Sequence, residues 1–80
     1  MAELILFGTA GCHLCDEAEI LLLQAGVSFE TRDIMDDEQA QQSYAIRIPV
    51  LLHLATGMEI GWPFDAQQLD DFIRSLTWRF

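Results

Sequence analysis

The chain contains no lysine, and its four arginines stand against thirteen aspartates and glutamates, a formal net charge of −9 over 80 residues. Phosphate backbones and anionic membrane surfaces repel such a chain, so neither nucleic acid nor membrane is expected as a partner. It also lacks any apolar run near the roughly 20 residues that a bilayer span requires. The amino terminus has no basic segment ahead of its short apolar stretch, which argues against a signal peptide and for a cytoplasmic protein. No glycine pattern of the dinucleotide-binding kind is present, so reducing equivalents would have to come from another thiol. With five glycines and two prolines there is no low-complexity tract, repeat or linker, and the length allows one domain, residues 1–80. Half of the residues are hydrophobic (51%), enough for a core in so small a chain.

Only two cysteines occur, and they lie within Gly11-Cys12-His13-Leu14-Cys15. Before them, Glu3 to Phe7 reads as a short buried strand that ends at Gly8. After them, Ala18, Leu21, Leu22 and Ala25 repeat at the spacing of one helix face, for a helix from about Cys12 to Ala25 closed by Gly26. The cysteine pair thus falls in a strand-to-helix turn, with Cys12 near the first helical turn. Unpaired N–H groups and the positive end of the helix dipole favour a thiolate there and make a better nucleophile. Cys15, one turn on, is within reach of a disulfide.

Farther along, Val27 to Thr31 alternates apolar and polar like a half-exposed strand. Asp36 and Gln39 form a candidate capping box for a short polar helix ending near Tyr44. Arg47-Ile48-Pro49 leads into an apolar strand, Val50 to Leu54, and Thr56-Gly57 turns it into Met58-Glu59-Ile60, a hairpin. Asp65 and Gln68 make a second candidate box, before a helix with Leu69, Phe72, Ile73 and Leu76 on one face; Trp78 and Phe80 then cover the sheet or fray. The order is β-α-β-α-β-β-α, an α/β domain with a four-stranded mixed sheet and helices on both faces.

A C-x-x-C beside a β-α-β unit reads as a redox pair. Cys12 attacks a substrate disulfide and Cys15 resolves the mixed disulfide. A zinc site would need two more ligands, and only His13 and His53 are available without paired spacing, so no metal is expected. A structural disulfide across so short a loop would restrict the unfolded chain very little. A protonated His13 would favour the Cys12 thiolate, whereas Asp16, Glu17 and Glu19 oppose it, and the balance stays open. His53, in an apolar strand, reads as a satisfied core histidine. Pro49 is either an ordinary trans proline opening a strand or part of a cis Ile48–Pro49 bond. The cis bond would expose the Ile48 N–H and C=O beside Cys12 to an extended substrate.

Thr9-Ala10-Gly11-Cys12-His13-Leu14-Cys15, Asp33-Ile34, Arg47-Ile48-Pro49-Val50-Leu51 and Trp62-Pro63-Phe64-Asp65 together resemble the glutaredoxin-like family of the thioredoxin-fold superfamily, over nearly the whole chain. The resemblance implies a cis Pro49, Cys12 as nucleophile, Cys15 as resolving thiol, and Gly11, His13, Arg47, Ile48, Pro49, Gly61, Trp62 and Asp65 about the substrate. It also implies glutathione as a co-substrate, with Asp65 matching the residue that receives its amine. Departures are Thr9 in place of a basic residue, His13-Leu14 between the cysteines, and Gly61-Trp62 in place of a glycine pair. Arg47 is either a carboxylate ligand or a solvated charge. The function expected is a monomeric thiol–disulfide oxidoreductase with no bound cofactor, acting on a disulfide-containing protein or a glutathione mixed disulfide. The alternative is a binding module that uses the same cleft with little or no redox turnover.

Overall fold

In the computed structural model, which describes residues 3–77, four strands form one sheet in the order β2-β1-β3-β4. The strands are β1 (Leu4–Gly8), β2 (Glu30–Asp33), β3 (Val50–His53) and β4 (Glu59–Gly61), and the helices are α1 (His13–Ala25), α2 (Glu38–Tyr44) and α3 (Ala66–Thr77). β1 pairs parallel with β2 and antiparallel with β3, and β3 pairs antiparallel with β4. The central strand β1 is buried along its whole length, which is why it reads as an unbroken apolar run.

Alternation along β1 divides the core between two faces. Leu4 and Leu6 join Leu51 and pack against Ala18 and Leu22 of α1 and against Phe64, Leu69 and Phe72 on and before α3. Ile5 and Phe7 point the other way, to Ile34, Ala40 and the partly buried Tyr44, Ile48 and Leu52. Helices therefore cover both faces, with α1 and α3 on one and α2 on the other. No helix of the described residues is long and apolar enough to cross a membrane.

Two expectations need correction. Val27 and Phe29 do pack against the α1 and α3 core, but β2 begins only at Glu30. Their alternation records burial of a connecting segment, not strand pairing. The cap of α2 is Asp37, whose carboxylate accepts from Gln39 N–H (2.9 Å) and Ala40 N–H (3.3 Å), and not Asp36. Asp36 ends a 3₁₀ turn, Ile34–Asp36, that was not foreseen. The second box is present in both directions, with Gln68 N–H donating to Asp65 Oδ1 at 2.8 Å and Asp65 N–H to Gln68 Oε1 at 3.0 Å. Trp78 and Phe80 lie outside the described residues.

Candidate active site

The carboxyl-terminal end of β1 organises the site. The β1–β2 register sets Gly8 beside Asp33. The β1–β3 register runs from Leu4–His53 to Phe7–Val50, so its next step sets Gly8 beside Pro49. The β3–β4 register ends at Val50–Gly61, and one step on, Trp62 N–H donates to the Pro49 carbonyl at 3.0 Å. Asp33, Gly8, Pro49 and Trp62 thus form a row across one end of the sheet. Both Ile48–Pro49 and Trp62–Pro63 are cis peptides.

Cys15 rests on this row. A Cβ on Gly8 would stand 2.8 Å from the Cys15 sulfur, so the absence of a side chain at Gly8 is what admits the thiol. The loop between β1 and α1 turns at Gly11, whose φ of +79° suits glycine. The same turn is closed by Cys12 N–H donating to the Thr9 carbonyl at 3.2 Å. Cys12 is the N-cap of α1, and its sulfur accepts from Cys15 N–H at 3.3 Å. A sulfur anion would accept that bond more strongly than a thiol would.

Both cysteines are free thiols, Cys12 partly exposed and Cys15 buried. Burial, foremost, pushes the Cys15 thiol up from 9.0 to about 11; the hydrogen bond with Cys12 adds to this, and a hydrogen bond with the Thr9 backbone works against it. The negative charges of Cys12 and Asp16 push it the same way as burial. The two thiols are therefore unequal in access.

A cleft of about 210 Å³ opens beside Cys15, lined by Gly8, Thr9, Asp16, Glu19, Arg32 and Asp33 among others. Asp33 braces its floor, accepting from Met35 N–H at 2.9 Å and Ala10 N–H at 3.3 Å. Those donors and Thr9, the Met35 bond foremost, hold the Asp33 carboxyl below the usual carboxylate range. On the β4 side a shallow groove of about 300 Å³ is lined by Trp62, Glu17, Ile20 and Leu21.

The remaining site residues foreseen from the sequence fall as follows. His13 is exposed, with Nε2 3.9 Å from Glu17. Trp62 meets Phe64 edge-on at 5.1 Å, and Asp65 caps α3. Ile48 is partly buried on the α2 face, and its N–H donates to the Tyr44 carbonyl at 3.0 Å. The expectation that Ile48 would offer its N–H to a substrate is therefore wrong, because α2 already uses that donor. Arg47 is exposed and ion-paired: its Nη2 lies 2.7 Å from Glu59 Oε1 and its guanidinium sits 5.6 Å from the Tyr44 ring centre. Gly61 faces the same guanidinium, 3.8 Å from where a Cβ would be. His53 is buried with Nδ1 2.8 Å from Thr56 Oγ1, the satisfied core histidine that its strand suggested.

Sequence reasoning missed Gly8, Tyr44 and Glu59. For Gly8 the signal was available, since a glycine ends an apolar strand just before the cysteine turn. Nothing local announces Glu59, whose partners come from α2 and from the loop that follows it. Among the described residues no group of three histidine, cysteine, aspartate or glutamate side chains is placed to hold a metal ion.

Comparison with known proteins agrees with this geometry. The model of the Glutaredoxin-like domain (DUF836) matches residues 3–74. A structural-genomics target protein from X. campestris, solved by X-ray, is 38% identical with a TM-score of 0.83, covering 90% of this chain and 96% of that one. A Nitrosomonas europaea protein solved by NMR is 28% identical (TM-score 0.68, 88% of each chain). A glutaredoxin from Archaeoglobus fulgidus shares the fold at 24% identity (TM-score 0.67, 92% of this chain and 88% of that one). No curated protein matches the chain. The chain thus has a thioredoxin-like fold and belongs to the Glutaredoxin-like domain family.

Proposed function

We propose that the protein is a small thiol–disulfide oxidoreductase in which Cys12 attacks and Cys15 resolves. The observation that carries this reading is the inequality of the pair: Cys12 caps α1 with an N–H on its sulfur, while Cys15 lies buried on Gly8. An extended disulfide lying over Pro49 and Trp62 meets Cys12 first. The Cys12 thiolate attacks one sulfur of the substrate, which breaks the substrate S–S bond, forms a mixed disulfide and expels the first half as a thiolate. Cys15 then attacks the Cys12 sulfur, its proton passing to the departing second half. The protein ends as the Cys12–Cys15 disulfide, and two electrons have reduced the substrate to two thiols.

Gly11, His13, Ile48, Pro49, Gly61, Trp62 and Asp65 would line the substrate path, with Arg47 at its rim. The substrate class is a disulfide-containing protein or a glutathione mixed disulfide, in a reducing, cytoplasmic setting where an external thiol restores the pair. Membership in the Glutaredoxin-like domain family supports the reading, as does the 3.3 Å contact between Cys15 N–H and Cys12 Sγ.

Trapping tests it. With an aromatic disulfide in excess, Cys15→Ser should accumulate a one-to-one mixed disulfide at Cys12, detected by mass, and Cys12→Ser should accumulate none within the same time. Equal adduct formation at either cysteine, or none in both variants, would remove the assignment.

A further inference from the structure

Each arginine among the described residues carries a carboxylate. Arg32 pairs with Glu30 at 3.3 Å, Arg74 with Asp70 at 2.9 Å and Arg47 with Glu59 at 2.7 Å. Of these, Arg47 alone belongs to the rim of the cysteine site on its Pro49 and Trp62 side. It precedes Pro49 by two residues, and its guanidinium faces Gly61, the residue before Trp62. Carboxylates outnumber cations on either side of the cysteines: Asp16, Glu19 and Asp33 line one depression together with Arg32, itself paired with Glu30, and Glu17 lines the other.

Glu59 does not hold Arg47 loosely. Residues 59 and 61 share a face of β4, so the carboxylate stands next to Gly61. Its two oxygens are both engaged, Oε1 by Arg47 Nη2 and Oε2 by the Tyr44 hydroxyl at 2.8 Å. Tyr44 in turn packs on Phe7 of β1 with ring centres 5.0 Å apart, and the Arg47 guanidinium lies over the Tyr44 ring, 5.6 Å from its centre. Arg47 and Tyr44 together hold the Glu59 carboxyl below its ordinary range, the Arg47 hydrogen bond being the larger cause. The carboxylate is thus charged at neutral pH and bound at both oxygens, and the half-exposed guanidinium it holds already has a counter-ion.

We infer that Glu59 is a specificity-determining residue: by occupying Arg47 it turns the cysteine site away from anionic disulfides and toward neutral or cationic ones. The inference rests on the redox reading above and narrows its substrate class. An anion arriving at the rim finds Arg47 engaged and carboxylates on both flanks, whereas a cationic chain finds complementary charge. Discrimination by like charge needs no contact optimised for the preferred partner.

Three small disulfides of similar size and different charge test this: cystamine (cationic), hydroxyethyl disulfide (neutral) and dithiodipropionate (anionic). Reduced protein is mixed with each at low salt, and the rate of a single turnover is read by acid quenching and counting thiols. The wild type should react in the order cationic, neutral, anionic. Glu59→Gln frees Arg47 and should raise the anionic-to-neutral rate ratio about threefold, the size expected of one partly exposed ion pair. Arg47→Gln placed on top of Glu59→Gln should remove that gain, and added salt should shrink it. Glu59→Thr, a substitution suited to an edge strand, serves in place of the glutamine variant if that one does not fold.

A ratio unchanged in the Glu59 variants, or a gain that persists in the double variant, would overturn the inference while leaving the redox reading intact. Failure of the wild type to react with all three disulfides would overturn both.

Discussion

The Cys15 sulfur lies so close to Gly8 that a methyl group there would stand 2.8 Å from the sulfur and 3.1 Å from the Cys15 Cβ. The first distance is shorter than a Cβ contact allows and the second is tight, so Gly8→Ala must rotate Cys15 or push the start of α1 off the sheet. Overpacking of this kind costs about 1–3 kcal/mol. Urea unfolding of the reduced variant should show a lower midpoint with an unchanged slope. Disulfide closure with a small oxidant should also be slower, because the Cys12–Cys15 geometry depends on that seat. A midpoint and closure rate equal to wild type would mean that Gly8 does not position the thiol.

The unequal thiols make a pH prediction. Burial raises the Cys15 thiol from 9.0 to about 11 in the folded protein. A group raised on folding favours the native state most below its unfolded value, and the contribution fades as pH climbs through the folded value. Stability of the reduced protein should therefore decline between pH 9 and about 11, and Cys15→Ala should flatten that decline. At pH 7–8 iodoacetamide should modify Cys12 well before Cys15. The check is peptide mapping after timed alkylation, beside urea midpoints across the pH range.

Tyr44→Phe keeps the ring packed on Phe7 but removes the hydroxyl that donates to Glu59 at 2.8 Å. A single net hydrogen bond of this sort contributes about 0.5–1.5 kcal/mol. The loss should be largest where Glu59 is charged. Because the Glu59 carboxyl is held below 4.5, that part of the stability is complete above pH 4.5 and disappears as pH falls through the lower, folded value. Wild type and Tyr44→Phe should consequently converge in acid. Thermal midpoints at neutral and acid pH decide the matter.

Asp65→Ala removes one side of the reciprocal box that starts α3 and leaves Gln68 N–H without its side-chain acceptor. Loss of such a cap costs about 1 kcal/mol. Since α3 carries the buried Leu69 and Phe72, the effect should appear in the global unfolding transition and not as local fraying. Asp65→Asn, which can still accept, should recover most of the loss.

Most of what places the cysteines could be read along the chain, because it is local. The apolar run of β1, the helical spacing after Cys15, Gly26 at the end of α1 (φ +73°) and the Asp65–Gln68 box all act within a few residues. What escaped reading depends on partners far apart in sequence. Val27 and Phe29 alternate because a loop anchors them to the core, which period alone cannot separate from a strand. Asp37 outcompetes Asp36 as a cap because Asp33 already turns the chain through Ile34–Asp36. The same holds at the site. Pro49 and Trp62 share a row through strand pairing, and Ile48 loses its N–H to Tyr44. Arg47 meets Glu59 twelve residues away only because the β3–β4 hairpin returns there.

The central claim is that Cys12 and Cys15 form a reversible dithiol–disulfide couple, and its most direct test is an equilibrium titration in graded glutathione buffers. The fraction oxidised is counted by alkylation and mass. The account predicts one two-electron transition between roughly −270 and −120 mV, the span of thiol oxidoreductases. A pair that stays dithiol throughout that range, or one trapped only as single-cysteine adducts, would contradict it.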